Sequence, residues 1–231
     1  MIILKKIATI ALLITVVNVH AQDVEPPVEK GDYKLLKLDI LNLMGLGVQK
    51  LHVAYETSPM KANANNLPTI SLNATIPFNS LNVIDINYGI EAGAELRFYQ
   101  RKRNANTLLA EGLYLGIGID GGYTNFNRVV EYRANNFSGG QEVDTEFSRI
   151  RTGIYAQLGG QAKLGDKLYF DASFGLGWSN VNVGAATNTT QPGFSQQSEI
   201  SEVFYLLYRE GKGQRLYTPV SVSIGYNFGA R

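Results

Sequence analysis

Residues Tyr88 to Tyr99 alternate so completely that they leave the chain little choice of conformation. Tyr88, Ile90, Ala92, Ala94, Leu96 and Phe98 form one set, and Gly89, Glu91, Gly93, Glu95, Arg97 and Tyr99 form the other. A helix would scatter both sets around its axis, whereas a strand places each on its own face. The pattern returns in Leu168–Ser179, where Leu168, Phe170, Ala172, Phe174, Leu176 and Trp178 oppose Tyr169, Asp171, Ser173, Gly175, Gly177 and Ser179. In Arg149–Leu164, Ile150, Ile154, Ala156, Leu158, Ala162 and Leu164 oppose Arg149, Arg151, Tyr155, Gln157, Gln161 and Lys163. Near the C-terminus, Leu216, Val220, Val222, Ile224, Tyr226 and Phe228 oppose Ser221, Ser223, Gly225 and Asn227. Shorter runs predict four more strands at Tyr33–Met44, Gln49–Thr57, Thr69–Ile76 and Leu113–Tyr123. The expected fold is all-β, a closed antiparallel barrel of eight strands, an even number that suits closure. Leu81–Asn87 and Val203–Tyr208 are the segments that would raise the count to ten.

Composition agrees with an all-β chain, since 24 glycines, 13 tyrosines and 10 phenylalanines accompany only 18% charged residues. Lys5 and Lys6, the apolar run Ile7 to Val17 and the small-residue site Val19-His20-Ala21 form a secretory signal. The run is shorter than the ~20 apolar residues a helical span needs. Residues 1–21 are therefore expected to be a cleaved signal peptide, 22–32 with Pro26-Pro27 a solvated periplasmic lead-in, and 33–231 the barrel. The mature chain carries 19 basic and 20 acidic side chains, so nothing in its charge calls for nucleic acid. No cysteine is present, which excludes disulfides, thiolate metal sites and a lipid-bearing cysteine.

Alternation alone also fits a soluble sandwich, so the surrounding medium needs its own argument. The apolar faces are aliphatic in the middle and aromatic at the ends, as with Tyr88 and Phe98, which is the arrangement of a lipid-facing band between aromatic girdles. The opposite faces are rich in glycine, as expected of a crowded interior that must leave room for Tyr99, Tyr155, Tyr169 and the arginines. Lys37, Asp39, Glu56, Glu91, Glu95, Arg97, Asp120, Arg149, Arg151, Lys163 and Asp171 are expected to form a lumenal charge network, because isolated ions in a low-dielectric interior are costly. Two long connections, Asn127–Ser148 and Asn182–Gln214, flank the tight turn at Gly165–Lys167.

The export signal, the alternating segments and the terminal run Val220-Ser221-Val222-Ser223-Ile224-Gly225-Tyr226-Asn227-Phe228 together resemble the small bacterial outer-membrane β-barrels, the OmpA- and OmpX-like group in the broad sense. The resemblance covers about Tyr33 to Phe228. The terminal run looks like the aromatic-ended signal read by the barrel assembly machinery, although Gly229-Ala230-Arg231 follow it here. What this implies is an outer-membrane location, contact with outer-membrane lipids and no particular activity. Gly116-Ile117-Gly118-Ile119-Asp120-Gly121 has the spacing of a dinucleotide loop but lacks the helix such a loop needs. His52 is the only histidine of the mature chain. Glu56 lies on the same face but roughly 13 Å away at ~3.3 Å per residue, too far for a dyad. No catalytic residue, cofactor or metal site is expected. Arg101-Lys102-Arg103 reads as a solvated turn. Val203, Phe204, Leu206, Leu207 and Tyr208 form an apolar loop stretch that would need cover, from the barrel rim or from an envelope or surface protein. The expected role is a structural and interaction protein acting through its extracellular loops. The rivals are a narrow pore for small solutes and a lipid-modifying enzyme built on His52 with Glu91 or Ser173.

Overall fold

The computed structural model describes residues 34–45, 48–58, 68–80, 84–100, 111–134, 140–185, 194–196 and 207–229. The expected signal and lead-in, Arg101-Lys102-Arg103, and Val203, Phe204 and Leu206 lie outside them. The strands are β1 (Lys34–Asp39), β2 (Val48–Thr57), β3 (Thr69–Ser80), β4 (Asp85–Tyr99), β5 (Gly112–Ala134), β6 (Gly140–Lys163), β7 (Leu168–Ala185), β8 (Phe194–Gln196), β9 (Gly211–Tyr217) and β10 (Val220–Asn227), with one short helix, α1 (Ile40–Met44). Consecutive strands from β1 to β7 pair antiparallel, and β10 pairs with both β1 and β7, which closes the ring.

The closed barrel has eight staves. β9 and β10 occupy one of them, lying end to end along β7: Gly211–Tyr217 against Val183–Gly177, then Val220–Tyr226 against Phe174–Leu168. The break falls at Thr218-Pro219, where proline has no N–H to give to the ladder. Its carbonyl still accepts from the Gly175 amide at 2.9 Å. β8 stands outside the ring, paired to the far end of β5. The described residues of the two segments that would have made ten strands add no stave. Asp85–Asn87 belong to β4, and Leu207 and Tyr208 lie in a helical turn.

Two expectations are corrected. The first strand does not run to Met44: it stops at Asp39, whose carboxylate accepts the Asn42 amide at 2.9 Å and caps α1, while Gly45, with φ 65°, ends the helix. A side-chain acceptor followed by a residue free to adopt positive φ favours a helical turn over extended backbone. The second concerns the expected long connections. β5 and β6 stay in register through Arg133↔Gly140, so most of Asn127–Ser148 is a β-hairpin, and the ends of Asn182–Gln214 belong to β7 and β9.

The Leu164–Leu168 turn marks the lower end of the barrel and the β5–β6 hairpin the upper. Along the lower part, outward rows are apolar and exposed: Leu113, Leu115, Ile117 and Ile119 on β5, Ile150, Ile154 and Leu158 on β6, Leu168, Phe174, Leu176 and Trp178 on β7. Aromatic rings edge this band, with Tyr88 beside Tyr123 above (centroids 5.9 Å apart) and Tyr55 beside Phe228 below (6.0 Å). Above Tyr88, Tyr123 and Trp178 the polarity reverses. The outward side chains become Asn87, Asn125, Asn127, Asp144, Glu146, Asn180 and Asn182. Val48, Ile84, Ile86, Phe126, Val130, Phe147, Val181, Val183 and Tyr208 turn inward as a buried apolar cluster. A bulge in β4 between Ile86 and Tyr88 makes the reversal there, since it shifts the phase of the strand and turns Ile84 and Ile86 inward.

Candidate functional site

Below the reversal, the inward rows carry charge. Ion pairs form between residues distant in sequence because antiparallel register brings their strands around one enclosed space. Lys37 on β1 contacts Glu56 on β2 and reaches Asp171 on β7 at 2.5 Å, with Gln161 Oε1 at 2.6 Å. Arg97 on β4 meets the same two acids, Asp171 at 2.6 Å and Glu56 at 3.2 Å, and Glu95 at 3.0 Å. Glu56 also accepts from Thr69 Oγ1 at 2.6 Å and from the Tyr99 hydroxyl at 2.8 Å, and Asp171 accepts from the Tyr114 hydroxyl at 2.9 Å. Arg97 lies 4.6 Å from the centre of the Tyr114 ring. These five ionic groups are buried, and they set two cations against three carboxylates.

A second cluster lies above. Glu91 faces Lys50 at 3.2 Å, Arg151 at 3.7 Å and Arg149 in close contact. Arg151 also pairs with Asp120 at 2.8 Å, and the Tyr217 hydroxyl donates to Asp120 at 3.0 Å. Here three cations face two carboxylates, so the two clusters balance each other. The roof of the upper cluster is aromatic: Arg149 lies 4.0 Å from the Tyr208 ring centre, and Tyr208 meets Phe126 edge-on at 5.3 Å. Arg215, one residue past the level of Trp178, has its pKa lowered from the ordinary arginine value by partial burial and then by Arg209 and Arg149.

Small residues make this crowding feasible. The Tyr155 ring lies over Gly118, Tyr114 over Gly159 and Tyr217 over Gly177, in each case where a Cβ would stand. Glycine on these inward rows is therefore a seat for a neighbouring phenol, as expected for Tyr155. Tyr114 and Tyr217 carry no such expectation, and neither Tyr99 nor Tyr169, for which the same room is expected, lies over a described glycine.

Nine of the eleven residues singled out in the sequence come together in these clusters: Lys37, Glu56, Glu91, Glu95, Arg97, Asp120, Arg149, Arg151 and Asp171. Two do not. Asp39 is buried but caps α1, and half-buried Lys163 forms no ion pair with any described residue. Lys50, Tyr99, Tyr114 and Tyr217 join the clusters although the charge pattern did not nominate them. Tyr208 turns into the barrel rather than outward to a partner. His52 also faces inward, its Nδ1 2.7 Å from Thr75 Oγ1, and no bond to Glu91 or Ser173 is formed. Among the described residues no group of three or more histidines or acids is placed to hold a metal ion.

The inner apolar cluster was missed, although it left a trace in the sequence. Beyond Trp178 the apolar residues change parity, from even-numbered Leu176 and Trp178 to odd-numbered Val181 and Val183, and on β5 from odd-numbered Ile117 and Ile119 to Phe126 and Val130. Comparison with protein-family models, with curated proteins and with solved structures gives no match to this chain.

Proposed function

We propose that the chain is an integral outer-membrane β-barrel whose lower part sits in the bilayer as a side-chain-filled anchor and whose upper part is a water-exposed platform for contacts. The observation that carries this reading is the reversal of polarity at one level on the neighbouring strands β4 to β7. An exposed apolar band that continues from strand to strand has no place in water. In hydrocarbon it is matched, and the ladder of a closed barrel leaves no strand edge unsatisfied. Leu168–Trp178, Leu113–Tyr123 and Tyr88–Phe98 each span eleven residues, which fits the ~9–11 that a tilted transmembrane strand needs. Above that level the wall of these strands resembles a soluble protein, largely apolar within and, but for exposed Val129, polar without. Asn87, Asn125, Asn127, Asp144 and Glu146 bond to one another at 2.6–3.2 Å on its outer surface.

The absence of cysteine makes the test direct. Single cysteines at Asp144 and Glu146 should react on intact cells with a membrane-impermeant maleimide, and cysteines at Ile117, Ile154 and Leu176 should not. Equal labelling of both sets would sink the proposal. The filled lower interior further predicts no steady conductance when purified protein enters a planar bilayer, and a stable unitary current would favour the narrow-pore reading.

A further inference from the structure

We propose that the upper charge cluster is a binding site for a small monovalent anion, a halide or a simple carboxylate, held by Arg149 and Arg151. The inference rests on the barrel interior and does not depend on which medium surrounds the wall.

Arg149 and Arg151 stand two residues apart on the inward row of β6 and share one acid, Glu91, which also serves Lys50. With Asp120 included, the cluster's own described residues still carry one cation more than carboxylates, and the acid that offsets this belongs to the lower cluster, where it is paired with Lys37 and Arg97. Both guanidinium groups spend only Nη2 on the protein: Arg149 on Glu91 and on Thr124 Oγ1 at 3.1 Å, Arg151 on Asp120 and Glu91. Nε and Nη1 of each are buried with no acceptor among the described residues. Arg149 is completely buried, and Arg151 is 5% exposed.

Buried charged donors without acceptors are costly, and more so where like charges crowd together. Water would satisfy the hydrogen bonds and leave the charge, whereas an anion answers both. Tyr208 covers one face of Arg149, and Tyr217 lies 4.9 Å from Arg151, so the ligand meets guanidinium edges. The burial of both guanidinium groups restricts it to a small ion. Lys50 keeps 22% of its side chain exposed and gives the cluster an aqueous contact through which an ion can exchange.

Two measurements on the folded mature protein in detergent test this. Crystals grown in sodium bromide should show an anomalous peak within hydrogen-bonding reach of both Arg149 and Arg151; water there, or no peak, overturns the proposal. In solution, replacing gluconate by chloride, bromide or formate at constant ionic strength should raise the unfolding midpoint by about 2 °C or more through mass action. Arg151→Gln should lose that increment, and Asp120→Asn, which removes a competing carboxylate, should enlarge it. An equal rise in wild type and both variants would mark a general salt effect and reject the site, as would identical midpoints in gluconate and in the small anions.

Discussion

Individual side chains here are chosen by what stands opposite them. Gly177 must admit the Tyr217 ring, while nothing lies within 4 Å of a Cβ added at Gly184 on the same strand. Gly177→Ala should cost about 1–3 kcal/mol as an overpacked contact, and Gly184→Ala should change stability by less than about 0.5 kcal/mol. Equilibrium unfolding in denaturant separates the two. Arg97 balances Glu56, Glu95 and Asp171 together with Lys37. Arg97→Gln leaves those carboxylates with Lys37 alone and should cost on the order of 3–5 kcal/mol. The sign with pH follows from that surplus. Acid protonates uncompensated carboxylates, so the deficit relative to wild type should shrink as pH falls; a deficit that grows in acid would contradict the assignment.

At the scale of elements, Asp39 decides where β1 ends. If its part is to cap α1, Asp39→Asn keeps a side-chain acceptor and should be nearly neutral, whereas Asp39→Ala should lose about 0.5–2 kcal/mol. If Asp39 acted chiefly as an ion, the Asn variant would be as damaging as the Ala variant, and denaturant midpoints of the two distinguish these outcomes. β4 teaches a related lesson. Its alternation from Tyr88 to Tyr99 was legible residue by residue, but the bulge that turns Ile86 inward was not, because Ile84, Ile86, Tyr88 and Ile90 follow one unbroken period in sequence. Only pairing with β5, where Ile86 lies opposite Phe126 and Tyr88 opposite Asn125, shows the extra residue.

Across the whole molecule, the two tiers set opposite rules for the same substitution. Arginine at Ile154, in the outward apolar band, should cost about 2–4 kcal/mol if that level lies near the middle of a bilayer. Arginine at Ser148, on the outward row above the reversal, should cost less than about 0.5 kcal/mol. Refolding into lipid vesicles across a denaturant series measures both, and similar costs at the two sites would argue against a lipid-facing band. The closed barrel also accounts for the interior charge pattern. Ten groups drawn from β1, β2, β4, β5, β6 and β7 meet only because the sheet curls back on itself.

The sequence by itself determined that the chain forms strands, which side chains share a face, and which face collects the ions, because period-two alternation is a local property of extended backbone. It also named most members of the charge clusters, since an ionic residue in an otherwise apolar or glycine-rich row has few other places to go. What the tertiary structure decided was register: Lys37 with Asp171 across the ring, Glu91 under two arginines, tyrosines laid over glycines, and the level at which inside and outside exchange polarity. Register depends on closure, bulges and the proline break at residue 219, and each of these is set by contacts between strands that are far apart along the chain.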